Sequence, residues 1–159
     1  MHRSLRNRVA ATVIAGAALA LTAGPVAAVT PSTESWTNHV EIGFIDCDGF
    51  TVVGTWDIHH KLTTFYGADG VPIRDIEQID FSGRLTNAVT GASVPDGGAR
   101  SFFDTLAPDG SFLTTYSVQV RKSAYVHTAG RLDFQSGDFH GVDGFAPANI
   151  AALCEALGG

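Results

Sequence analysis

Two long runs of alternating apolar and polar residues lie next to each other between Ser111 and Gln135, and they constrain the fold more than any other feature. The first run carries its apolar residues on one face of an extended chain, namely Phe112, Tyr116, Val118 and Val120. A period of two is typical of a β-strand with one buried and one solvated face. The short link Ser123-Ala124 predicts that the two runs form a β-hairpin, and hairpins of this length occur in barrels and sandwiches.

The N-terminal segment differs from the rest of the chain and predicts a secretory signal peptide over residues 1–28. Three arginines within the first eight residues precede an Ala-rich apolar run from Val9 to Leu21, and small residues lead up to Ala28. This order is typical of a leader that is cleaved during export. A membrane span is the alternative, but the run is shorter than the roughly 20 residues that a bilayer requires. We therefore expect a secreted protein, extracellular or in the cell envelope, beginning near Val29.

The chain is acidic, with 16 Asp and Glu against 10 Lys and Arg and a formal net charge of −6. The predicted leader contains basic but no acidic residues, so the exported part is more acidic still. The part predicted to be exported contains no cluster of Lys and Arg, which argues against nucleic acid as a partner. No later apolar stretch is long enough to span a membrane. We expect a flexible lead-in over residues 29–39 and one domain over residues 40–159.

The sequence contains two cysteines, Cys47 and Cys154, both in the part predicted to be exported. Export favours a disulfide between them. Two buried thiols or a zinc pair are the alternatives, although zinc would need further ligands at short spacing. No metal or cofactor is predicted. Pro147 and a helical spacing of apolar residues up to Leu157 predict a helix over residues 147–157, which the disulfide would tie to the sheet.

Alternation also predicts a long core strand from Phe50 to Tyr66. Weaker patterns indicate a short strand or lead-in over Glu41–Ile45 and strands over Ile73–Leu85 and Ser101–Leu106. Pro95 and two glycines indicate that residues 93–100 form a loop, and residues 136–144 are too rich in glycine for a regular element. The predicted fold is mostly β, a single antiparallel β-barrel or barrel-like sandwich with a short C-terminal helix.

Polar side chains on two predicted strands are the candidates for chemistry. Asp57, His59 and Lys61 share one face of the first long strand, and His127 lies on the polar face of the hairpin, near Arg131 and Asp133. If both faces point into one interior, Asp57, His59 and His127 form a metal site or an acid–base group. The alternative is that both faces are solvent faces.

Two other positions depart from the alternation. His60 lies on the apolar side of its strand, which is typical of a core or rim histidine. Asp75 and Glu77 lie on the apolar side of the next strand, which indicates that this half overhangs the mouth of the barrel. Two carboxylates on one face also suit acid–base chemistry, as a weaker alternative.

Aromatic residues on the predicted inner faces suggest a cavity for a small apolar ligand, since small barrels can hold one such molecule. The candidate lining residues are Trp56, Phe81, Phe112, Tyr116 and Phe134. The alternative is that these side chains simply fill the interior.

Four short segments resemble a group of small exported actinobacterial proteins that have a signal peptide, an early and a late cysteine and a mostly-β body. The segments are Thr86–Gly91, Asp109–Phe112, Gly130–Phe134 and Leu153–Leu157. The resemblance implies export and this fold class, but the group has no assigned activity and supplies no functional residues. Allene oxide cyclase, dirigent and lipocalin-like barrels are analogous in architecture only.

These observations favour a non-catalytic extracellular module that binds a small apolar ligand or another extracellular protein. One alternative is a barrel enzyme of the cyclase, isomerase or hydrolase type that uses Asp57, His59 and His127. The other is a structural or cell-surface protein with a filled core.

Overall fold

The computed structural model describes residues 29–159, so the predicted signal peptide over 1–28 lies outside the described residues. The strands are β1 (Ser32–Cys47), β2 (Phe50–Tyr66), β3 (Pro72–Asn87), β4 (Ser93–Leu106), β5 (Phe112–Lys122), β6 (His127–Asp133) and β7 (Phe139–Val142), and the helix is α1 (Pro147–Gly158). All seven strands form one antiparallel sheet in chain order. The predictions of a mostly-β fold and a short C-terminal helix are confirmed.

Tight turns with glycine at positive φ join most of these strands. Gly49 has φ 87° between β1 and β2, and Gly110 has φ 83° between β4 and β5. Glycine occupies this left-handed region without the steric cost that a Cβ brings. The turns therefore return each strand beside the previous one, and the predicted hairpin of residues 111–135 is formed by β5 and β6.

The sheet curls strongly, as Phe44 on β1 and Arg121 on β5 demonstrate. Four inter-strand spacings separate β1 from β5, which is about 19 Å in a flat sheet at about 4.8 Å per spacing. The guanidinium carbon of Arg121 nevertheless lies 4.6 Å from the centre of the Phe44 ring. We call the face that carries Arg121 the concave face and the opposite face the convex face.

The curled sheet remains open. Pairing runs from β1 to β7, and within residues 29–159 no pairing joins β7 back to β1. The predicted closed barrel is therefore not found. β7 has only four residues, so it offers too little backbone to close against a 16-residue β1.

Two glycines in the middle of the sheet allow this curvature. A Cβ at Gly83 would lie 1.9 Å from the backbone oxygen of Thr55, and one at Gly98 would lie 2.2 Å from that of Val120. The prediction of a loop over residues 93–100 is wrong, because these residues pair with β3 throughout. Here glycine marks a close approach of two strands rather than a loop.

Two other segments are more regular than the sequence predicts. The predicted flexible lead-in over residues 29–39 pairs with β2 from Ser32 onward, so the short strand over Glu41–Ile45 is part of a long one. The glycine-rich residues 136–144 contain β7. Both segments gain their order from backbone pairing, which requires no alternation of apolar side chains.

The core lies where α1 packs against one end of the concave face. Val52 and Leu85 from the sheet and Leu153 and Leu157 from α1 are almost fully buried. The predicted disulfide Cys47–Cys154 is confirmed and joins the end of β1 to α1, with a Cα–Cα distance of 5.7 Å. The Asn87 amide also donates a hydrogen bond to the Leu157 carbonyl at 3.0 Å.

Candidate functional site

Beyond the part of the concave face that α1 covers, cross-strand pairing brings several charged and titratable side chains together. Residues that pair directly across antiparallel strands share a face. On the concave face, residues that pair across neighbouring strands form rows that run across the sheet. One row contains His60 and Arg100, the next contains Glu77, and the third contains Asp75 and Asp104. We call this region the open half of the concave face. It is defined by His60, Asp75, Glu77, Arg100, Asp104, Ser117 and Gln119.

A buried ion pair separates the open half from the core. Asp96 is fully buried, and it accepts hydrogen bonds from Arg121 Nε at 2.9 Å, from Arg121 Nη2 and from the Trp56 indole at 2.6 Å. Aromatic rings surround the guanidinium, with centres 4.6–5.8 Å from its carbon, and they are Phe44, Trp56, Phe81 and Phe145. With both carboxylate oxygens bonded, the cluster acts as a structural support for the neighbouring site.

His60 and Glu77 form a hydrogen-bonded pair within the open half. Nδ1 of His60 lies 2.7 Å from Oε1 of Glu77, and the two side chains are only 13% and 26% exposed. The Trp36 ring stacks on the imidazole with the ring centres 4.7 Å apart. With Nδ1–H donated to Glu77, Nε2 is an acceptor that lies 3.5 Å from the amide nitrogen of Asn38. The imidazole is therefore held in one orientation.

Polar atoms without partners distinguish the open half from the rest of the chain over residues 29–159. Asp75 and Asp104 lie directly opposite each other on β3 and β4. Within residues 29–159, the buried side-chain atoms that lack a hydrogen-bond partner are Asp75 Oδ1, Asp104 Oδ1 and Arg100 Nε. Such atoms are rare in folded proteins because each one carries an uncompensated desolvation cost. All three lie on the same face and on adjacent strands.

Arg100 forms no salt bridge among the described residues, although acidic side chains occupy the same face. Its Nη2 donates a hydrogen bond to Ser117 at 3.1 Å, and its guanidinium lies 4.5 Å from the Phe102 ring centre and 5.8 Å from that of Phe134. Burial lowers the pKa of Arg100. A cavity of about 140 Å³ borders this side chain, and its lining also includes Phe81, Gln119, Arg121, Thr128 and Phe145.

The carboxyl group of Asp104 binds its proton more tightly than an ordinary aspartate. Burial raises its pKa, the Thr115 side chain acts against this rise, and the charges of Asp75 and Glu77 raise the pKa further. Folding therefore shifts the protonation equilibrium of this carboxyl group toward the neutral acid. Asp104 contributes to stability below its unfolded-state pKa, and the contribution is lost as the pH rises through the folded-state pKa.

Replacing Asp104 with asparagine is therefore expected to stabilise the protein at about pH 7, because folding opposes the ionisation of the wild-type carboxyl group. The amide cannot ionise, and its NH₂ group can donate to the unpartnered Asp75 oxygen. The gain should shrink toward about pH 3. Thermal unfolding across this pH range checks the prediction, with Asp80→Asn on the exposed convex face as the control. Equal stability of D104N and the wild type at neutral pH would contradict it.

The structure does not bring the three predicted catalytic residues together. Asp57 and His59 lie on the convex face of β2, where Asp57 bonds to His39 at 2.9 Å and His59 contacts Thr37 at 2.9 Å. His127 is exposed on β6, with three strands between it and β2. Polar and apolar residues alternate as predicted, but the faces that carry these three residues point to solvent and do not meet in a common interior.

The predicted ligand-lining residues are divided between the two faces. Trp56, Phe81 and Phe134 lie on the concave face. Tyr116 lies on the convex face, stacked on Phe103 with the ring centres 4.8 Å apart. Phe112 is 67% exposed at the start of β5. The sequence-based prediction therefore took the convex face of β5 for the inner face.

The face of β5 that carries Ser117 and Arg121 points into the concave interior, whereas Val118 and Val120 are 42% and 37% exposed. Periodicity identifies two faces but not which one is buried. The useful signals were His60, Asp75 and Glu77, since polar residues on an apolar face mark the open half.

Within residues 29–159, no group of three or more His, Cys, Asp and Glu side chains is arranged to hold a metal ion. In the same residues, no helix has both the length and the apolar character needed to cross a membrane. Comparison with protein-family models, curated protein sequences and solved structures found no significant match to this chain.

Proposed function

We propose that this protein is an extracellular binding module that holds a small, hydroxyl-bearing ligand, such as a cyclic polyol or sugar ring, in the open half of its concave face. The observation that carries the proposal is the set of unpartnered buried atoms, two acceptors on Asp75 and Asp104 and one donor on Arg100. A hydroxyl group both donates and accepts, so a ligand with several hydroxyl groups suits such a set.

The surroundings of Arg100 support this class of ligand. The Phe102 and Phe134 rings lie close to the guanidinium and supply apolar surface beside the charged groups. Binding sites for small molecules typically combine such surface with a few fixed polar groups. A purely apolar ligand, which the sequence favoured, would leave the charged groups of the open half without partners.

Export after cleavage near Ala28 belongs to the same proposal, as does the resemblance to small exported actinobacterial proteins. The Cys47–Cys154 disulfide is compatible with an extracellular location.

Calorimetric titration with methyl glucoside and myo-inositol tests the proposal, with cyclohexanol as a probe that has a ring but one hydroxyl group. We expect saturable binding of at least one polyol and none of cyclohexanol. Arg100→Met keeps the length of the side chain but removes its donors, and we expect it to weaken binding about tenfold or more. Arg84→Met, on the convex face, is the matched control. Binding that R100M leaves unchanged would contradict the proposed site.

The His60–Glu77 pair favours a second candidate, general acid–base catalysis in the same region. A carboxylate that fixes the orientation of a histidine is a recurrent arrangement in such catalysis. Hydrolysis of chromogenic glycosides or esters that disappears in His60→Gln would support this candidate. Binding of a ligand without its hydrolysis would instead support the non-catalytic function.

A further inference from the structure

β1 forms an edge of the sheet that lacks most of the usual protection against pairing with another chain. Within residues 29–159, no strand covers its outer side, and residues 32–43 are exposed apart from the half-buried Val40. Natural edge strands are usually short, bulged, or interrupted by lysine or proline. Residues 32–43 contain two acidic residues, Glu34 and Glu41, but no Lys, Arg or Pro, and the irregularity in pairing begins only after Gly43.

The opposite edge of the sheet is different. β7 has four residues and includes Gly141, so it offers little backbone for pairing. Pairing of β1 with β7 of another copy would therefore be short, and such head-to-tail contacts also tend to produce open chains of molecules. Pairing of β1 with β1 uses the long edge twice and closes at a dimer.

The free part of β1 ends near Gly43. Beyond it, Phe44 packs against Trp56 and Phe145 with ring centres 5.3 and 5.5 Å apart. In a dimer whose two-fold axis is perpendicular to the sheet, paired residues of the two β1 strands lie on the same face. The axis therefore passes through a pair formed by the same residue of each copy, which is the centre of the pairing. Only centres near the middle of residues 32–43, at Thr37 or Asn38, use nearly the whole free edge.

The side chains favour the centre at Asn38. That register places Trp36 opposite Val40 of the second copy, and a pair of apolar side chains directly opposite each other stabilises a sheet. The centre at Thr37 would place Glu34 opposite Val40 instead. In the Asn38 register, Glu34 faces Ile42 and Glu41 faces Ser35, so no like charges lie opposite each other.

We infer that this protein forms a symmetric dimer in which the β1 strands of two copies pair antiparallel about Asn38. Each copy contributes Trp36 and Val40 to the apolar pairs at the centre. The two curled sheets then continue into one another, and the exposed edges at β1 disappear. This dimer is independent of the proposed ligand.

Cysteine crosslinking tests the register. Asn38→Cys places two thiols opposite each other on the dimer axis, and we expect a disulfide-linked dimer on a non-reducing gel. Peptide mass spectrometry should show a 38–38 link with Cys47–Cys154 intact. Thr33→Cys lies opposite Gly43 and is the control that should not crosslink. A link at position 33 but not at position 38 would overturn the proposed register.

Charge substitution with sedimentation velocity gives an independent test. The wild type should sediment as a dimer, and Ser35→Glu should lose the dimer because it creates two Glu–Glu pairs with position 41. Ser35→Lys should retain the dimer, and Ser35→Glu combined with Glu41→Lys should restore it. Circular dichroism confirms that each variant is folded. A monomeric wild type would overturn the inference, and so would a dimer that S35E leaves unchanged. Pairing of β1 with a segment of another protein would not rescue it.

Discussion

Replacing Asp96 with alanine is expected to lower the free energy of unfolding by about 3–5 kcal/mol, the range for breaking a buried ion pair by removing one partner. The Arg121 side chain is only 12% exposed, so it would lose its counter-ion in a site that water hardly reaches. The Trp56 indole would also lose its acceptor. Urea unfolding followed by circular dichroism measures the loss from the shift in midpoint.

Two controls distinguish the ion pair from general damage to the sheet. Asp80→Ala on the exposed convex face should change stability by less than about 0.5 kcal/mol. Asp96→Leu combined with Arg121→Met should recover much of the loss, because apolar replacement of both partners leaves no buried charge unpaired. An Asp96→Ala protein as stable as the wild type would show that the pair contributes little to the fold.

Removing the disulfide is the other large perturbation. The double variant Cys47→Ala/Cys154→Ala should be less stable by about 4–5 kcal/mol, because the bond closes a loop with a sequence separation of 107 residues. The bond also attaches α1, which supplies the buried Leu153 and Leu157, to the end of β1. Denaturant unfolding of the variant and of the reduced wild type measures the effect.

The two forms should agree closely, since both lack the crosslink and the alanine variant differs from the reduced wild type only by the loss of two sulfur atoms. A loss below about 1 kcal/mol in both would mean that packing of Leu153 and Leu157 alone holds α1, contrary to the chain-entropy argument.

Much of the secondary structure could be predicted from local patterns. The alternation in Phe50–Tyr66 and in the hairpin identified β2, β5 and β6, and apolar spacing up to Leu157 identified α1. The disulfide followed from two cysteines in a chain with a predicted export signal. These features depend on periodicity and composition, which are properties of short segments.

The long-range features could not be predicted in the same way. Whether Val118 or Ser117 faces the interior depends on how the sheet curls, and the curl depends on close approaches at Gly83 and Gly98 that bring distant strands together. The polar lead-in forms β1 because it pairs with β2, which the lead-in itself does not encode. Neither the close approaches at the two glycines nor the pairing of β1 with β2 produces a periodic pattern in the sequence.

The candidate site was partly visible in the sequence. Asp75, Glu77 and His60 stood on the apolar side of their strands, where a polar residue needs an explanation. Asp96 and Arg100 gave no signal, because they lie in a stretch whose proline and glycines indicated a loop. Their roles depend on the register of β3, β4 and β5.

The proposed site can be tested most directly with the Arg100 Nε–H resonance in a nitrogen-15 NMR titration with methyl glucoside and myo-inositol. The account predicts that this resonance moves and saturates with at least one polyol, together with backbone amides of β3, β4 and β5, while the Nε–H of Arg84 stays in place. If the Arg100 resonance does not move, or if the shifts fall on the convex face, the open half is not the binding site.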